Sequence, residues 1–184
     1  MYNSKILDYD DIRYLNTFYK SLQGAAYLRY FNLFSIFRKD IPKNSQDDRW
    51  LSIKNKIDRE GAGECIVHYF LWYTEGSFTM LHQDSPHRVT KTCITLVDKS
   101  DNLIGGDIIL MGPPKVIKGK ICAPSDQEII EKKEPVPLLK DVKSIRVVPQ
   151  EIGDSVWYPA QTKHGVSEVQ QGHRLVLISW YKNK

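Results

Sequence analysis

Three short stretches hold residues whose types and spacing could do chemistry at one small centre. The first is His82-Gln83-Asp84. In an extended chain a spacing of two puts the imidazole and the carboxylate on the same side, about 6–7 Å apart along the backbone, so both can reach one metal ion. Taken alone the pair is a weak signal. Five histidines and twenty-two acids among 184 residues give about 0.6 such pairs by chance, and a surface histidine beside an aspartate would look the same. The second stretch is the polar turn Pro159-Ala160-Gln161-Thr162-Lys163-His164, set between two apolar runs. Two imidazoles and one carboxylate form a facial set suited to a ferrous ion, with coordination positions left open for substrate and O2; thiolate-rich sets would suit zinc or a cluster, and oxygen-only sets magnesium or calcium. The third is Arg174, ten residues beyond His164 and at the head of Leu175-Val176-Leu177-Ile178. Its guanidinium can take a carboxylate through two parallel hydrogen bonds, where lysine offers a point charge. A surface salt bridge is the competing role. An arginine heading a buried strand is easier to explain if its head meets a buried anion.

These residues must be held by something, and the chain changes texture to provide it. Over 10–37 apolar residues recur at helical spacing, with Ile12, Leu15, Phe18, Tyr19 and Leu22 followed by Ala26, Leu28, Phe31 and Phe34; this predicts two helices divided at Gly24. Ser45-Gln46-Asp47-Asp48 before Trp50 reads as the start of another helix running to about Arg59, ended at Gly61-Ala62-Gly63. Tyr14 and Phe18 are expected in the core. From Cys65 the pattern becomes short β-branched and aromatic runs at 66–74, 88–97, 104–111, 144–149, 154–158, 165–169 and 174–181, with turn residues between them. Many short strands so punctuated predict a sandwich or barrel rather than alternating βα units. The helices are expected against the outside of its sheet. The segment 113–143 interrupts the series; rich in lysine and glutamate with five prolines, it is long for a loop and is expected to be an insertion that works as a lid. Trp157 and Trp180 read as core, His68 as a packed core histidine rather than a ligand, and His87 and His173 as surface or supporting groups.

Composition narrows the classes. At 184 residues, 41% hydrophobic and 26% charged, the chain fits one ordinary globular domain over 1–184, with 1–60 as helical support and 65–182 as the barrel. A net charge of +4 with lysines interleaved among acids gives no reason to expect nucleic acid. No apolar run approaches a membrane span, and the acidic MYNSKILDYDD start lacks the apolar core of a secretory signal. Three cysteines at unpatterned spacing fit reduced thiols in the cytoplasm.

In order along the chain stand Tyr73, Gly76, Phe78, His82-Gln83-Asp84, Thr92, Gly105-Gly106-Asp107, Gly153-Asp154, His164-Gly165-Val166, Gly172, Arg174 and Trp180. This string resembles the prolyl 4-hydroxylase-like branch of the 2-oxoglutarate/iron(II) oxygenases, over residues 65–182. The resemblance implies a mainly β fold, a double-stranded β-helix (jelly roll) packed against N-terminal helices, with His82 and Asp84 beside its second strand, His164 on its seventh and Arg174 on its eighth. It implies iron(II) held by His82, Asp84 and His164, and 2-oxoglutarate held by Arg174 with Tyr73 and Thr92 as helpers. O2 is the oxidant, and ascorbate a reductant. The implied reaction hydroxylates a C–H bond and releases succinate and CO2. A prolyl residue in a protein or peptide is the family's leading substrate; a free amino acid or small metabolite is the alternative. Collagen-modifying members carry lysine at the place of Arg174, and sensor-type members carry arginine as here. The carboxylate of Asp84 favours hydroxylation, since related halogenases lack it. Two features depart from the family: the 113–143 insertion, and N-terminal helices that match no particular member. The rival class is a cupin-like metal or ligand-binding protein, which shares the barrel but has no need of a carboxylate clamp beyond its last histidine.

Overall fold

A computed structural model of the chain describes residues 2–30, 33–61, 63–84, 88–111, 116–117, 120–121 and 145–183. In chain order these form β1 (Tyr2–Lys5), α1 (Tyr9–Ser21), β2 (Ala26–Tyr30), β3 (Leu33–Asp40), α2 (Asp48–Gly61), β4 (Glu64–His82), β5 (Lys91–Lys99), β6 (Ile104–Gly105) and β7 (Ile108–Met111). Then come β8 (Val116–Ile117), β9 (Lys120–Ile121), β10 (Ile145–Val148), β11 (Asp154–Pro159), β12 (His164–Val166), β13 (Val169–Gln171) and β14 (His173–Lys182).

The helices begin where acidic side chains can accept from first-turn amides. Asp8 caps α1 and forms a reciprocal capping box with Asp11, and Asp47, rather than Ser45, accepts from the Trp50 amide at the head of α2. Asp11 is also fully buried and takes Arg49 and Lys56 of α2 at 2.7 and 2.5 Å, so one carboxylate ties the two helices together.

The second helix expected within 10–37 does not form. Residues 26–30 and 33–40 are instead the antiparallel pair β2 and β3, and β3 pairs along β4 from Leu33↔Thr79 to Asp40↔Tyr69. Ala26, Leu28 and Tyr30 satisfy a period of two as readily as a helical one, and the free edge of β4 decides between them. Ile36 is thereby fully buried.

The sheet runs β1-β11-β5-β14-β4-β12-β7-β10, antiparallel between neighbours, with β3 and β2 also attached through β4. β4 belongs to both halves of the roll. Its first part pairs with β14 from Glu64↔Lys182 to Thr74↔His173, and its last part pairs with β12 at Thr79↔Val166 and His82↔His164. Gly76, at φ 77°, lies between the two parts. This is the curled antiparallel sheet of a jelly roll, as expected, with a small β13–β6 ladder beside it.

Alternation along the strands sorts the two cores. On β14, Val176 and Ile178 join Tyr69, Leu71, Tyr73, Ile94, Val156 and Tyr158 inside the roll, while Leu175, Leu177 and Tyr181 join Ile12, Leu15, Phe18, Ile53 and Ile57 under the helices. The helices therefore cover the outside of the sheet, as the sequence indicates. Trp157 is 1% exposed within that outer core.

β12 approaches β4 so closely that residue 165 has no room for a side chain. A Cβ on Gly165 would lie 2.6 Å from the Thr79 carbonyl oxygen. Gly165→Ala is expected to cost about 1–3 kcal/mol, seen as a lower Tm, and to weaken metal binding by displacing the neighbouring His164.

Most of the segment 113–143 lies outside the described residues, and the lid expectation with it; within it only the antiparallel pairing of β8 with β9 is described. His87 also lies outside them.

Candidate metal centre and its cavity

His82 ends β4 and His164 begins β12, and the two are direct partners across the sheet. Their rings lie 4.3 Å apart. In each, Nδ1 is 2.9 Å from a backbone carbonyl two residues earlier, Met80 for His82 and Thr162 for His164. A carbonyl can only accept, so Nδ1 carries the proton and Nε2 presents its lone pair. Both Nε2 atoms face Asp84 Oδ1, each at 3.9 Å. Cis donors around an octahedral ion with bonds of about 2.1 Å stand about 3 Å apart, so both N–O separations are within about 1 Å of that spacing, and all three atoms lie within 4.8 Å of one another. Burial pushes His164 down to about 3, with the nearby His82 charge acting the same way. It is neutral at any physiological pH, the state a metal ligand needs.

Asp84 is held from behind. The Thr92 hydroxyl, on β5, donates to its Oδ2, which leaves Oδ1 for the histidines. Burial pushes the Asp84 carboxyl above its ordinary value, against the Thr92 hydrogen bond and the attraction of His82. The single hydroxyl proton of Thr92 is used in that bond. Thr92→Val should lower metal affinity about 10–100-fold, the usual effect of removing a group that orients a ligand, with 2-oxoglutarate binding to metal-loaded protein changed far less. Metal titration followed by cosubstrate titration separates the two.

The triad opens into a cavity of about 240 Å³ whose walls include Arg38, Tyr69, Tyr73, Tyr158 and Trp180. Tyr73 donates to or accepts from Thr79 Oγ1 at 3.0 Å. Arg174 is 2% exposed and is not part of the lining; its guanidinium lies 5.5 Å from the centroid of Tyr73, which is. One nitrogen donates to Gln150 Oε1 at 2.9 Å, and Nε has no hydrogen-bond partner among the described residues. Burial lowers the Arg174 pKa from its ordinary value. An unsatisfied buried donor costs about 1–3 kcal/mol, more when it is charged. The charge of Asp107 favours the guanidinium, and among the described residues Nε is left with a proton to offer an incoming acceptor.

Sequence reasoning missed four of these residues. Tyr158 is 1% exposed, its ring 4.6 Å from His164, with its hydroxyl unpartnered among the described residues; its place on the strand leading into His164 was the available signal. Gln150 orients Arg174 while donating to the Ile94 and Asp154 carbonyls. Arg38 reaches the cavity from the unexpected β3, stacked 3.9 Å over Tyr69 and bonded to Asp40. Tyr69 packs edge-on against Trp180 at 5.4 Å, so Trp180 is a cavity wall as well as a core residue. His173, half-buried, stacks on Trp72 at 4.5 Å, away from the lining.

Solved structures supply the comparisons. Over the whole chain and 92% of its own length, a prolyl-4-hydroxylase from Pseudomonas putida superposes with a TM-score of 0.70 at 14% identity. HygX from Streptomyces hygroscopicus, with nickel and 2-oxoglutarate bound, gives a TM-score of 0.71 at 14% identity over 98% of this chain and 81% of its own. The fold is that of the 2-oxoglutarate/iron(II) oxygenases. A viral collagen prolyl hydroxylase from Paramecium bursaria Chlorella virus-1, in complex with 2-oxoglutarate, adds a TM-score of 0.60 at 12% identity over 100% and 97% of the two chains. No protein-family model matches the sequence, and no curated protein matches it. No helix among the described residues is long and apolar enough to cross a membrane.

Proposed function

We propose that this chain is an iron(II)- and 2-oxoglutarate-dependent dioxygenase that hydroxylates a C–H bond of its substrate, with release of succinate and CO2. The observation that carries the reading is the pairing of two fixed Nε2 lone pairs and one carboxylate with a buried arginine whose Nε has no hydrogen-bond partner among the described residues. A cupin-like binding protein would need the first and not the second. Iron(II) with bound 2-oxoglutarate and O2 would supply the oxidising power.

The chain's own residues do the rest. His82, Asp84 and His164 would hold the metal on one face and leave the other toward the cavity. Thr92 fixes which carboxylate oxygen is offered. Arg174, oriented by Gln150 and lying beside Tyr73, would take the distal carboxylate of the cosubstrate. Tyr158 brings an unspent hydroxyl to the same space. The aromatic walls exclude water from the reacting centre and offer Tyr69 and Trp180 as flat apolar surfaces for a substrate ring.

For the substrate we favour a prolyl residue in a protein or peptide, in keeping with the fold shared with two prolyl hydroxylases. A small-molecule substrate is the second reading, supported by the likeness to HygX, which has been solved with hygromycin B bound. The unbridged Cys65 and Cys93 support a cytoplasmic setting. A succinate-release assay over prolyl peptides, free amino acids and metabolites, with mass spectrometry for a gain of one oxygen, tests the reading. Succinate formation that depends on iron(II) and rises with one substrate class is expected. No succinate above a His164→Ala control in any reaction would overturn it.

A further inference from the structure

A second group of metal-binding side chains lies outside the cavity, on the helix-covered face of the sheet. Asp58 is near the end of α2, and Cys65 and His68 are near the start of β4. Cys65 Sγ is 3.0 Å from His68 Nε2, and that nitrogen is 3.4 Å from Asp58 Oδ1. All three ligand atoms lie within 4.8 Å of one another. Two of the three are also oriented from behind. His68 Nδ1 is 2.8 Å from Ser179 Oγ on β14, which turns Nε2 toward the sulfur and the carboxylate. Tyr181 donates to Asp58 Oδ1 at 2.9 Å and Lys54 to Oδ2 at 2.5 Å. Trp50 packs edge-on to the His68 ring at 5.1 Å, and His68 itself is buried.

We propose that Asp58, Cys65 and His68 form a second metal site, independent of the cavity, that takes a zinc-class divalent ion. Spacing is the first argument. With bonds of about 2.0–2.3 Å, a tetrahedral zinc site separates nitrogen from oxygen by about 3.4 Å and sulfur from nitrogen by about 3.6 Å. The observed N–O separation meets the first value and the S–N separation falls about half an ångström below the second. Ligand chemistry is the second argument. One thiolate, one imidazole and one carboxylate are softer than the cavity triad and select zinc over magnesium or calcium. They also balance a divalent charge, which matters in a half-buried place. The supporting bonds from Ser179, Tyr181 and Lys54 are the third, since such contacts fix ligand direction at metal sites. Three protein ligands leave a fourth position to water.

The same trio could be read as a nucleophilic cysteine with its base. Burial pushes the Cys65 thiol up to about 12, the opposite of what a nucleophile needs, whereas a coordinated thiol loses its proton to the ion itself. A bound ion would clip the end of α2 to the start of β4, a structural role rather than a catalytic one.

Cobalt(II) distinguishes the two centres because the cavity triad contains no sulfur. The full chain, stripped of metal with a chelator, would be titrated with cobalt(II) without oxygen. A near-ultraviolet thiolate-to-cobalt band should appear, persist in His164→Ala, and vanish in Cys65→Ser. Asp58→Asn should keep the band and weaken cobalt affinity at least tenfold. In the His164→Ala background, zinc should raise Tm, and adding Cys65→Ser should remove that gain. Absence of the band in the unsubstituted chain would overturn the proposal. So would a band that survives Cys65→Ser, which would place cobalt on Cys93 or Cys122, or an affinity indifferent to Asp58→Asn. None of these results depends on the oxygenase activity.

Discussion

His82→Ala and His164→Ala should each abolish iron(II)-dependent turnover while leaving the chain folded. Each removes one of only three protein ligands, and among the described residues no other histidine or acid stands within reach of the cavity triad as a replacement. The fold should tolerate the loss. His82 ends its strand and is part-exposed, and His164 contributes a ring at the cavity wall rather than a side chain locked into the inner core. Circular dichroism and Tm close to the unsubstituted chain, with succinate formation at background, is the expected pair of results. Asp84→Asn should behave like the histidine variants in turnover, because the amide keeps the shape and gives up the charge that a divalent ion needs. If either histidine variant retains full turnover, the ligand assignment is wrong.

The second large effect belongs to Arg174. Removing one partner of a buried charge pair typically costs about 2–5 kcal/mol, and every 1.4 kcal/mol is tenfold in affinity. Arg174→Ala should therefore raise the 2-oxoglutarate requirement by well over tenfold. Iron affinity should stay where it was, since Arg174 is not one of the metal-ligating side chains. Arg174→Lys should recover only part of the loss, because an ammonium replaces a planar fork and cannot reproduce both the Gln150 bond and the contact that the orphan Nε awaits. Titrating 2-oxoglutarate into each iron-loaded variant gives the answer. Equal cosubstrate dependence in all three proteins would show that Arg174 is structural.

The ligands were legible because their chemistry is local. Two imidazoles, one carboxylate and a guanidinium heading an apolar run need only their order along the chain to be recognised, and the strands around them announce themselves by alternation. What orients those groups was not legible. Thr92 looks like any strand threonine until β5 brings its hydroxyl to Asp84, and Gln150 like any loop glutamine until it meets Arg174 across 24 residues. The pair β2 and β3 was misread for a related reason. Its apolar residues fit two periods, and the edge of β4 that settles the choice lies some forty residues away. Arg38 goes unseen with it, since it stands just past the helical run expected over 10–37 and only β3 carries it to the cavity. Asp58, Cys65 and His68 were dispersed over a helix and a strand, and His68 read alone was a packed histidine; only the fold shows what it packs against.

The central claim is that one metal and one 2-oxoglutarate bind together in this cavity. The most direct measurement is anaerobic addition of iron(II) and 2-oxoglutarate to the full chain, followed by visible absorption. A weak charge-transfer band that needs both components, and that is absent from His82→Ala and His164→Ala, is the predicted result. No band in the unsubstituted chain at saturating iron(II) and 2-oxoglutarate would contradict the account.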